Sequence, residues 1–228
     1  ARGLVWVHPY DDDAVAAGQG TVALEMLRQV PDLDTLVVSV GGGGLIAGMA
    51  TAAKALQPHI RVVGVQSERF ATMVDAVCHS QHPVGPSTIA DGIAVGTPGV
   101  RTLAVARQRV DDWLLVDEGD LEQAIVLLLE VEKTLVEGAG AAGLAALLRH
   151  PDRFKGRRVG LVLSGGNIDP LLLAAIIERG MVRGGRLARL RVNARDVPGS
   201  LARITQTVAQ QGANIDEVHH QRAFSHLA

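Results

Sequence analysis

Residues 35–48 read Thr-Leu-Val-Val-Ser-Val-Gly-Gly-Gly-Gly-Leu-Ile-Ala-Gly, which is an apolar strand, four consecutive glycines and the first turn of a helix. Glycine loses more backbone entropy on folding than any other residue, so four in a row indicate a tight turn or a close approach to a ligand. At a helix N-terminus, free N–H groups and the helix dipole favour a phosphate. A plain strand-to-helix turn is the alternative, and these residues alone do not separate the two.

The sequence on either side of this stretch predicts a parallel sheet. The strand Leu36–Val40, the helix Leu45–Leu56 and the strand Ile60–Val65 follow one another with short connections. This order indicates a right-handed crossover between parallel strands. Continuous apolar runs such as Leu36–Val40 and Arg158–Leu163 are typical of strands that are buried on both faces. The second of these runs ends in another glycine turn, Ser164–Asn167.

Further elements follow from apolar spacing and from helix-capping residues. Asp13 is a candidate cap for a first helix. Asp120, with Gln123 three residues later, is a candidate capping box for a helix that runs to about Thr134. The pattern also predicts strands at Gly3–Val7 and Asp112–Val116, and helices at Ala71–Cys78, Val100–Arg109, Leu144–Leu148 and Pro170–Arg179.

A second, smaller pattern begins after residues 181–186, which are rich in Gly and Arg and predict a linker. Beyond them, the spacing predicts a strand over Leu187–Val192 and a helix over Leu201–Ala209 that Gly212 closes. A second strand is predicted at Asn214–Val218. The chain therefore divides into a large domain at residues 1–180, the linker, and a small domain at residues 187–228.

The composition limits the classes of function. The 228 residues are 47% hydrophobic and only 3% aromatic, with a net charge of −2, which argues against a nucleic-acid partner. Cys78 is the only cysteine, so no disulfide forms within the chain and a cytoplasmic protein is the simplest interpretation. No apolar run reaches the roughly 18 residues of a membrane span. The first residues lack a Met and a signal peptide, and we expect them to lie inside a longer protein.

Several motifs stand in a fixed order along the large domain. The motifs are Pro9–Asp12, Ala17–Thr21, Ser39–Gly48, Gly64–Glu68, Ala90–Gly92, Val136–Ala141 and Ser164–Asp169. Together they resemble the threonine dehydratase (threonine ammonia-lyase) family, particularly its catabolic type, over residues 1–178. That family belongs to the fold-type II pyridoxal-phosphate enzymes, and the serine racemases are near relatives.

The small domain contains a second set of motif residues, namely Asp196, Pro198, Gly199, Leu201, Ile204 and the pair Asn214-Ile215. Through these residues it resembles the start of an ACT regulatory domain. The two resemblances imply an α/β fold with a three-layer open parallel sheet, similar to the tryptophan synthase β type. A partial ferredoxin-like ACT domain follows it.

The resemblance also implies a site for pyridoxal 5′-phosphate. Gly41, Gly42, Gly43 and Gly44, with the N–H of Leu45, match the loop that holds the phosphate group of the cofactor. Ser164 matches the serine that hydrogen-bonds the pyridine nitrogen. A neutral hydroxyl there leaves that nitrogen unprotonated, which weakens the ring as an electron sink and favours elimination of a β-hydroxyl. The alternative for Ser164 is a cap of the next helix.

Two further residues match family positions near the cofactor. Glu137 matches a glutamate near the ring, and the alternative is a carboxylate stabilised by the dipole at a helix start. Gly92 matches a backbone position on the substrate side of the cofactor, and the alternative is an ordinary loop glycine.

The chain departs from the family at the lysine that forms a Schiff base with the cofactor. The family has it in a Ser-x-Lys-x-Arg type motif, and none of Lys54, Lys133 and Lys155 has that context. We expect this lysine and the loop for the substrate carboxylate upstream of Ala1, so no catalytic residue is assigned within the chain. We assign no metal site either, because the histidines lack zinc-ligand spacing with Cys78 and Gln66 stands where a racemase-like cation site has Glu.

The family implies a pyridoxal-phosphate enzyme that dehydrates and deaminates L-threonine to 2-oxobutanoate and ammonia, with L-serine to pyruvate as a side reaction. The ACT segment implies allosteric control by an amino acid such as isoleucine or valine. It also implies a homo-oligomer, either a dimer or a tetramer. A role in isoleucine biosynthesis and a catabolic role both stay open. The alternatives are a non-catalytic cofactor-binding and regulatory fragment, and a racemase-type enzyme.

Overall fold

Four strands form a fully parallel sheet in the computed structural model, which describes residue 3 and residues 5–221. The strands are β1 (Thr35–Ser39), β2 (Arg61–Ser67), β3 (Asp112–Val116) and β4 (Val159–Leu161). In spatial order the sheet reads β3-β2-β1-β4. The register pairs Val37 of β1 with Val63 of β2 and with Leu161 of β4.

The chain divides into two units, residues 1–184 and residues 185–228. The first unit holds the sheet and the helices α1 (Asp13–Gln29), α2 (Gly44–Leu56), α3 (Thr72–Cys78), α4 (Val100–Arg109), α5 (Glu118–Leu127), α6 (Gly138–Arg149) and α7 (Pro170–Arg183). The second unit holds α8 (Ser200–Gln210). No helix in the described part of the chain has both the length and the apolar character needed to cross a membrane.

Helices cover both faces of the sheet, as the expected three-layer fold requires. Alternate residues of a strand point to opposite faces. Leu36 and Val38 therefore pack in one cluster with residues of α1, α2 and α4. Val37 packs in the other cluster with residues of α5, α6 and α7. This explains why the strands read as continuous apolar runs.

The chain reverses direction across the sheet next to β1. It moves from β1 to β2 and β3 through helices on one face, and it reaches β4 on the other side of β1 after helices on the opposite face. Right-handed crossovers force this change of face. The carboxyl ends of β1 and β4 are therefore neighbours at a topological switch point, where open α/β sheets bind ligands.

The helices α1 and α2 pack closely against each other on their face of the sheet. A Cβ atom at Gly48 would overlap the carbonyl oxygen of Ala16, and one at Gly20 would lie 3.1 Å from the carbonyl oxygen of Gly48. Glycine at both positions lets the two backbones touch. The segment Ala17–Thr21 lies within the continuous helix α1.

The prediction of a strand at Gly3–Val7 is wrong. Val5, Trp6 and Val7 lie outside any strand and are 63–87% exposed, while Leu4 lies outside the described residues. A strand requires a hydrogen-bonded neighbour, and the described residues supply none at this position. An apolar run is therefore insufficient to define a strand.

Two predicted helix caps are each displaced. Asp12, not Asp13, caps α1 by accepting hydrogen bonds from the N–H groups of Ala14 and Val15. Asp117, not Asp120, caps α5, and Asp120 completes the capping box from the third helical position. Both corrections follow from runs of acidic residues in which more than one carboxylate is spaced correctly.

Helix ends also differ from the predicted ones. The helix after β3 changes into a π-helical turn at Leu128–Glu132 and ends there, with Lys133 in the left-handed conformation. The helix predicted at Leu144–Leu148 begins at Gly138, because its small residues pack as a buried helical face against the sheet. Helix α7 continues to Arg183, three residues into the predicted linker.

In the second unit the predicted helix is present, as α8, and Gly212 follows it with a φ of +74°. The strands predicted at Leu187–Val192 and Asn214–Val218 are not formed. In a split β-α-β arrangement the strands that flank the helix pair with a strand between them rather than with each other. No such strand is present between residues 185 and 221, and residues 222–228 of the predicted domain lie outside the described residues.

Candidate functional site

The four-glycine loop leaves β1 and enters α2 at the switch point. Gly43 is the N-cap of α2, has a φ of +99° and supplies no side-chain cap. The N–H groups of Gly41 to Gly44 and that of Leu45 donate no hydrogen bond to any of the described residues. Unpaired N–H groups at a helix N-terminus form an anion site. The loop thus fits the phosphate of pyridoxal phosphate on the evidence of its own hydrogen bonding.

Neighbouring residues fix the shape of this loop. A Cβ atom at Gly42 would overlap the ring of Tyr10. A Cβ atom at Gly43 would lie 2.6 Å from Cε of Met73 and 2.8 Å from Oγ1 of Thr102. Thr102 also donates a hydrogen bond of 2.6 Å to the carbonyl oxygen of Gly42. The glycines therefore permit close packing around the loop as well as free N–H groups.

Gly92 adjoins the glycine loop, and Glu137 adjoins Gly92. The carbonyl oxygen of Gly92 lies 3.4 Å from the position of a Cβ at Gly41. A Cβ at Gly92 would in turn lie 3.3 Å from Oε1 of Glu137. Glu137 is the N-cap of α6 but makes no side-chain bond to that helix. Its Oε2 instead accepts a hydrogen bond of 3.0 Å from the N–H of Asn167.

Ser164 lies in the turn after β4, beside the same residues. Its backbone packs against α6, because a Cβ at Gly140 would overlap the carbonyl oxygen of Ser164. Its side chain is exposed and has no hydrogen-bond partner among the described residues. Ser164 does not cap α7, since Asp169 accepts the hydrogen bonds from Leu171 and Leu172. The hydroxyl is therefore available to a ligand.

The described residues form one wall of a site rather than a closed pocket. A cavity of about 120 Å³ opens beside Glu137, lined also by Thr88, Ile89, Asp91 and Asn167. Ligand pockets generally measure about 300–1,000 Å³. A larger cleft of about 420 Å³ lies at the ends of β2 and β3 and contains none of the predicted site residues. The charges that line this cleft are paired, for example Arg69 with Glu118 at 3.7 Å.

No lysine of the chain approaches the glycine loop as a free amine. The amine of Lys54 lies 2.8 Å from Asp111, and Lys54 is about 15 Å along α2 from Gly44, at 1.5 Å per residue. The Nζ of Lys133 donates to the carbonyl oxygen of Glu130 at 2.7 Å. Lys155 lies in an exposed turn after the short helix Pro151–Arg153. Among the described residues, none of the three is placed to bind the cofactor covalently.

A carboxylate anchors the loop that carries Tyr10. Asp11 accepts hydrogen bonds from the N–H groups of Val100, Arg101 and Thr102 at 2.8–3.2 Å. Burial raises the pKa of Asp11, but these three hydrogen bonds outweigh it, and the pKa lies below its ordinary value. Asp11 thereby joins the segment before α1 to the start of α4.

Other charged and polar groups near the strand ends have partners within the protein. Glu68 pairs with Arg149 at 2.8 Å. Within the described ranges, no three residues among His, Cys, Asp and Glu converge as metal ligands do. Gln66 is completely buried and its amide is hydrogen-bonded within the protein through both its nitrogen and its oxygen.

The structure brings the predicted site residues to one edge of the sheet, but their roles toward the cofactor stay predictions. Sequence reasoning missed three residues that shape the site: Tyr10, Thr102 and Asn167. Tyr10 and Asn167 lie in motifs of the sequence, yet only the fold reveals their contacts with Gly42 and Glu137. Thr102 is distant in sequence from its partners, so no local pattern signals it.

Comparison with known proteins identifies both units. The family model described as pyridoxal-phosphate dependent enzyme matches residues 1–165, and the ACT domain model matches residues 188–226. An L-threonine ammonia-lyase of Geobacter sulfurreducens is 47% identical over 232 residues, which cover 99% of this chain and 57% of the relative. The chain spans only slightly more than half the length of the curated relatives it matches.

Solved structures of related proteins are similar to this chain as well. A structure described as threonine deaminase of T.th. is 41% identical with a TM-score of 0.67, covering 72% of this chain and 62% of that one. Maize serine racemase is 35% identical with a TM-score of 0.69, covering 80% of this chain and 57% of that one. With the match over residues 1–165 and the glycine loop at the switch point, the chain belongs to the family of pyridoxal-phosphate dependent enzymes and carries an ACT domain after it.

Proposed function

We propose that the full-length protein containing this chain is a threonine ammonia-lyase, which converts L-threonine to 2-oxobutanoate and ammonia and accepts L-serine as a side substrate. The observation that carries the proposal is the set of unpaired N–H groups from Gly41 to Leu45 at the switch point of the sheet. The similarity to a protein named L-threonine ammonia-lyase over 99% of the chain directs the choice of substrate.

In this proposal the residues of the chain bind and orient the cofactor. The N–H groups of Gly41 to Gly44 and Leu45 donate hydrogen bonds to the phosphate, and the Ser164 hydroxyl donates to the ring nitrogen. Glu137 and the backbone of Gly92 border the ring and substrate. When bound, pyridoxal phosphate withdraws electrons from the α-carbon of an amino acid, so that a proton and a β-hydroxyl can leave. A Ser164 hydroxyl keeps the ring nitrogen neutral, which suits elimination.

We further propose that the lysine that anchors the cofactor lies in sequence outside these residues. Lys54 and Lys133 have partners at 2.8 Å and 2.7 Å, away from the glycine loop. A reactive lysine needs an amine that is free to attack and tuned by its surroundings. The length of the curated relatives is compatible with further sequence in the full protein.

Two measurements test this assignment. The full-length protein, loaded with pyridoxal phosphate and given L-threonine alone, should produce equal amounts of 2-oxobutanoate and ammonia. Borohydride reduction of the loaded protein followed by peptide mass spectrometry should place the phosphopyridoxyl group on a lysine outside residues 1–228. A stoichiometric adduct on Lys54, Lys133 or Lys155 would contradict the proposed anchor.

A racemase-type reaction is the second candidate, favoured by the similarity to maize serine racemase. The same incubation separates the two, because racemisation of L-threonine at its α-carbon gives D-allothreonine without release of ammonia. The third possibility is a non-catalytic cofactor-binding and regulatory protein. It predicts tight binding of pyridoxal phosphate with neither product.

The ACT segment supports a proposal about control. We propose that an amino acid such as isoleucine or valine binds to paired ACT domains in a cytoplasmic homo-oligomer, with isoleucine biosynthesis and a catabolic role both open. The match over residues 188–226 supports the presence of the domain that such control requires. Isoleucine and valine should shift the threonine saturation curve of the full-length protein, and sedimentation should give a dimer or a tetramer. Saturation curves that neither amino acid alters would argue against this control.

A further inference from the structure

Gln66 is a polar residue at the centre of the fold. It is the next-to-last residue of β2 and has 0% exposure. The other residues among the largest completely buried side chains of the described chain are apolar. A buried amide is costly unless all its hydrogen-bonding groups have partners. The partners of Gln66 therefore indicate why it is there.

These partners lie in two segments, one directly before the glycine loop and the other in the first turn of α3. The Nε2 of Gln66 donates to the carbonyl oxygen of Val40 at 3.1 Å, and Val40 directly precedes Gly41. The Oε1 accepts from the N–H groups of Met73 and Val74 at 3.0 and 2.9 Å. Both N–H groups lie in the first turn of α3, where the helix itself offers no acceptor. The N-cap residue of α3, Ala71, supplies no side-chain bond to them either.

Met73 carries this connection back to the loop. Its Cε atom lies 2.6 Å from the position that a Cβ at Gly43 would occupy. The amide of Gln66 thus holds the residue before the loop and also the backbone of the residue whose side chain packs on the left-handed glycine within it. No other side chain bonds to the carbonyl oxygen of Val40 in the described part of the chain.

We propose that Gln66 is the positioning residue of the phosphate loop: its amide holds the N–H groups of Gly41 to Leu45 in the arrangement that binds the phosphate of pyridoxal phosphate. This inference rests on the proposed role of that loop. Gln66 does not touch the cofactor, and it acts through Val40 and Met73.

Only a neutral side chain with both a donor and an acceptor satisfies this position. Methionine has a similar shape and keeps none of the three hydrogen bonds. Glutamate can accept from Met73 and Val74, but its second oxygen faces the carbonyl oxygen of Val40 and repels it. Burial and this repulsion raise the pKa of the introduced carboxyl group. Once protonated, the carboxyl group donates to Val40 and restores the native pattern.

The experiment uses the full-length apoenzyme titrated with pyridoxal phosphate. The variant Gln66→Met removes all three hydrogen bonds and should raise the dissociation constant about tenfold, because only part of their contribution acts on the shape of the loop. It should also shift the ³¹P resonance of the bound phosphate. The matched control is Gln57→Met, which removes an exposed amide that donates to Pro31 at 2.7 Å at the far end of α2. The control should change neither value.

The variant Gln66→Glu adds a test that does not depend on Gln66→Met folding. The ratio of its dissociation constant to that of the wild type should fall as the pH is lowered from 8.5 to 6. Division by the wild-type value removes the titration of the cofactor phosphate itself.

The outcomes separate this inference from the proposed function. If the wild type fails to bind pyridoxal phosphate, the proposed function is wrong and the inference falls with it. If the wild type binds and a folded Gln66→Met binds equally well with an unchanged ³¹P resonance, only the inference is overturned. If Gln66→Met does not fold, the pH series of Gln66→Glu decides: a falling ratio supports the inference and a constant ratio overturns it.

Discussion

A single backbone conformation at Gly43 decides whether the loop can present its N–H groups. Its φ of +99° lies in the region that L side chains rarely adopt. The contacts with Met73 and Thr102 also leave no room for a Cβ atom. The requirement for glycine at this residue is therefore both conformational and steric.

The substitution Gly43→Ala should abolish detectable binding of pyridoxal phosphate and destabilise the fold by about 1–3 kcal/mol, from backbone strain and overpacking. The measurement is a cofactor titration together with urea unfolding. Gly96→Ala is the matched control, because nothing lies within 4 Å of a Cβ there. Binding by Gly43→Ala that equals the control would show that the loop does not hold the phosphate.

At this scale the sequence predicts the loop but not its surroundings. Four successive glycines signal a special turn without any knowledge of the fold. The contact between Gly42 and Tyr10 depends on how the segment before α1 folds over the loop, and no local pattern encodes it. The available hydroxyl of Ser164 likewise becomes evident only when Asp169 is seen to cap α7.

Among the elements, the contact between α1 and α2 depends on Gly48. The substitution Gly48→Ala forces a methyl group against the carbonyl oxygen of Ala16, and the nitrogen of Gly20 lies only 2.7 Å from that position. We expect a loss of about 1–3 kcal/mol in the free energy of unfolding. In Gly18→Ala the methyl group meets nothing within 4 Å on an exposed face of α1, so a gain of about 0.5–1 kcal/mol is expected. Urea unfolding measures both, and equal effects would contradict this packing.

The hydrogen bonds of Asp11 to the start of α4 predict a dependence on pH. Because folding lowers the pKa of Asp11, its ionised form stabilises the folded state above pH 3.8, and this stabilisation is lost as the pH falls through the folded pKa. Asp11→Ala should therefore cost about 1 kcal/mol at pH 7 and less at pH 3. Asp152→Ala, at an exposed carboxylate, should cost little at either pH. An equal cost of Asp11→Ala at both pH values would exclude this role.

Elements with a complete local signal were predicted well. The helix Val100–Arg109 and the strand Asp112–Val116 have the predicted bounds. The strands predicted at Gly3–Val7, Leu187–Val192 and Asn214–Val218 failed for a shared reason. A strand exists only with a hydrogen-bonded neighbour, and apolar alternation does not reveal whether the described residues include one.

For the whole molecule, the order of strands and helices explains where the site lies. The reversal of the chain beside β1 brings the glycine loop and the turn containing Ser164 to one edge of the sheet, although they are more than a hundred residues apart. The sequence predicts parallel strands through its crossovers, but the position of β4 beside β1 is a property of the folded sheet. Only the resemblance to a family predicts from the sequence that these two turns belong to one site, because periodicity does not relate them.

The most direct measurement is a crystal structure of the full-length protein with bound pyridoxal phosphate. The account predicts phosphate oxygens within about 3.2 Å of the backbone nitrogens of Gly41 to Leu45 and the ring nitrogen within hydrogen-bond distance of Ser164 Oγ. A phosphate bound elsewhere, with Tyr10, Met73 and Thr102 closed over an empty glycine loop, would contradict it.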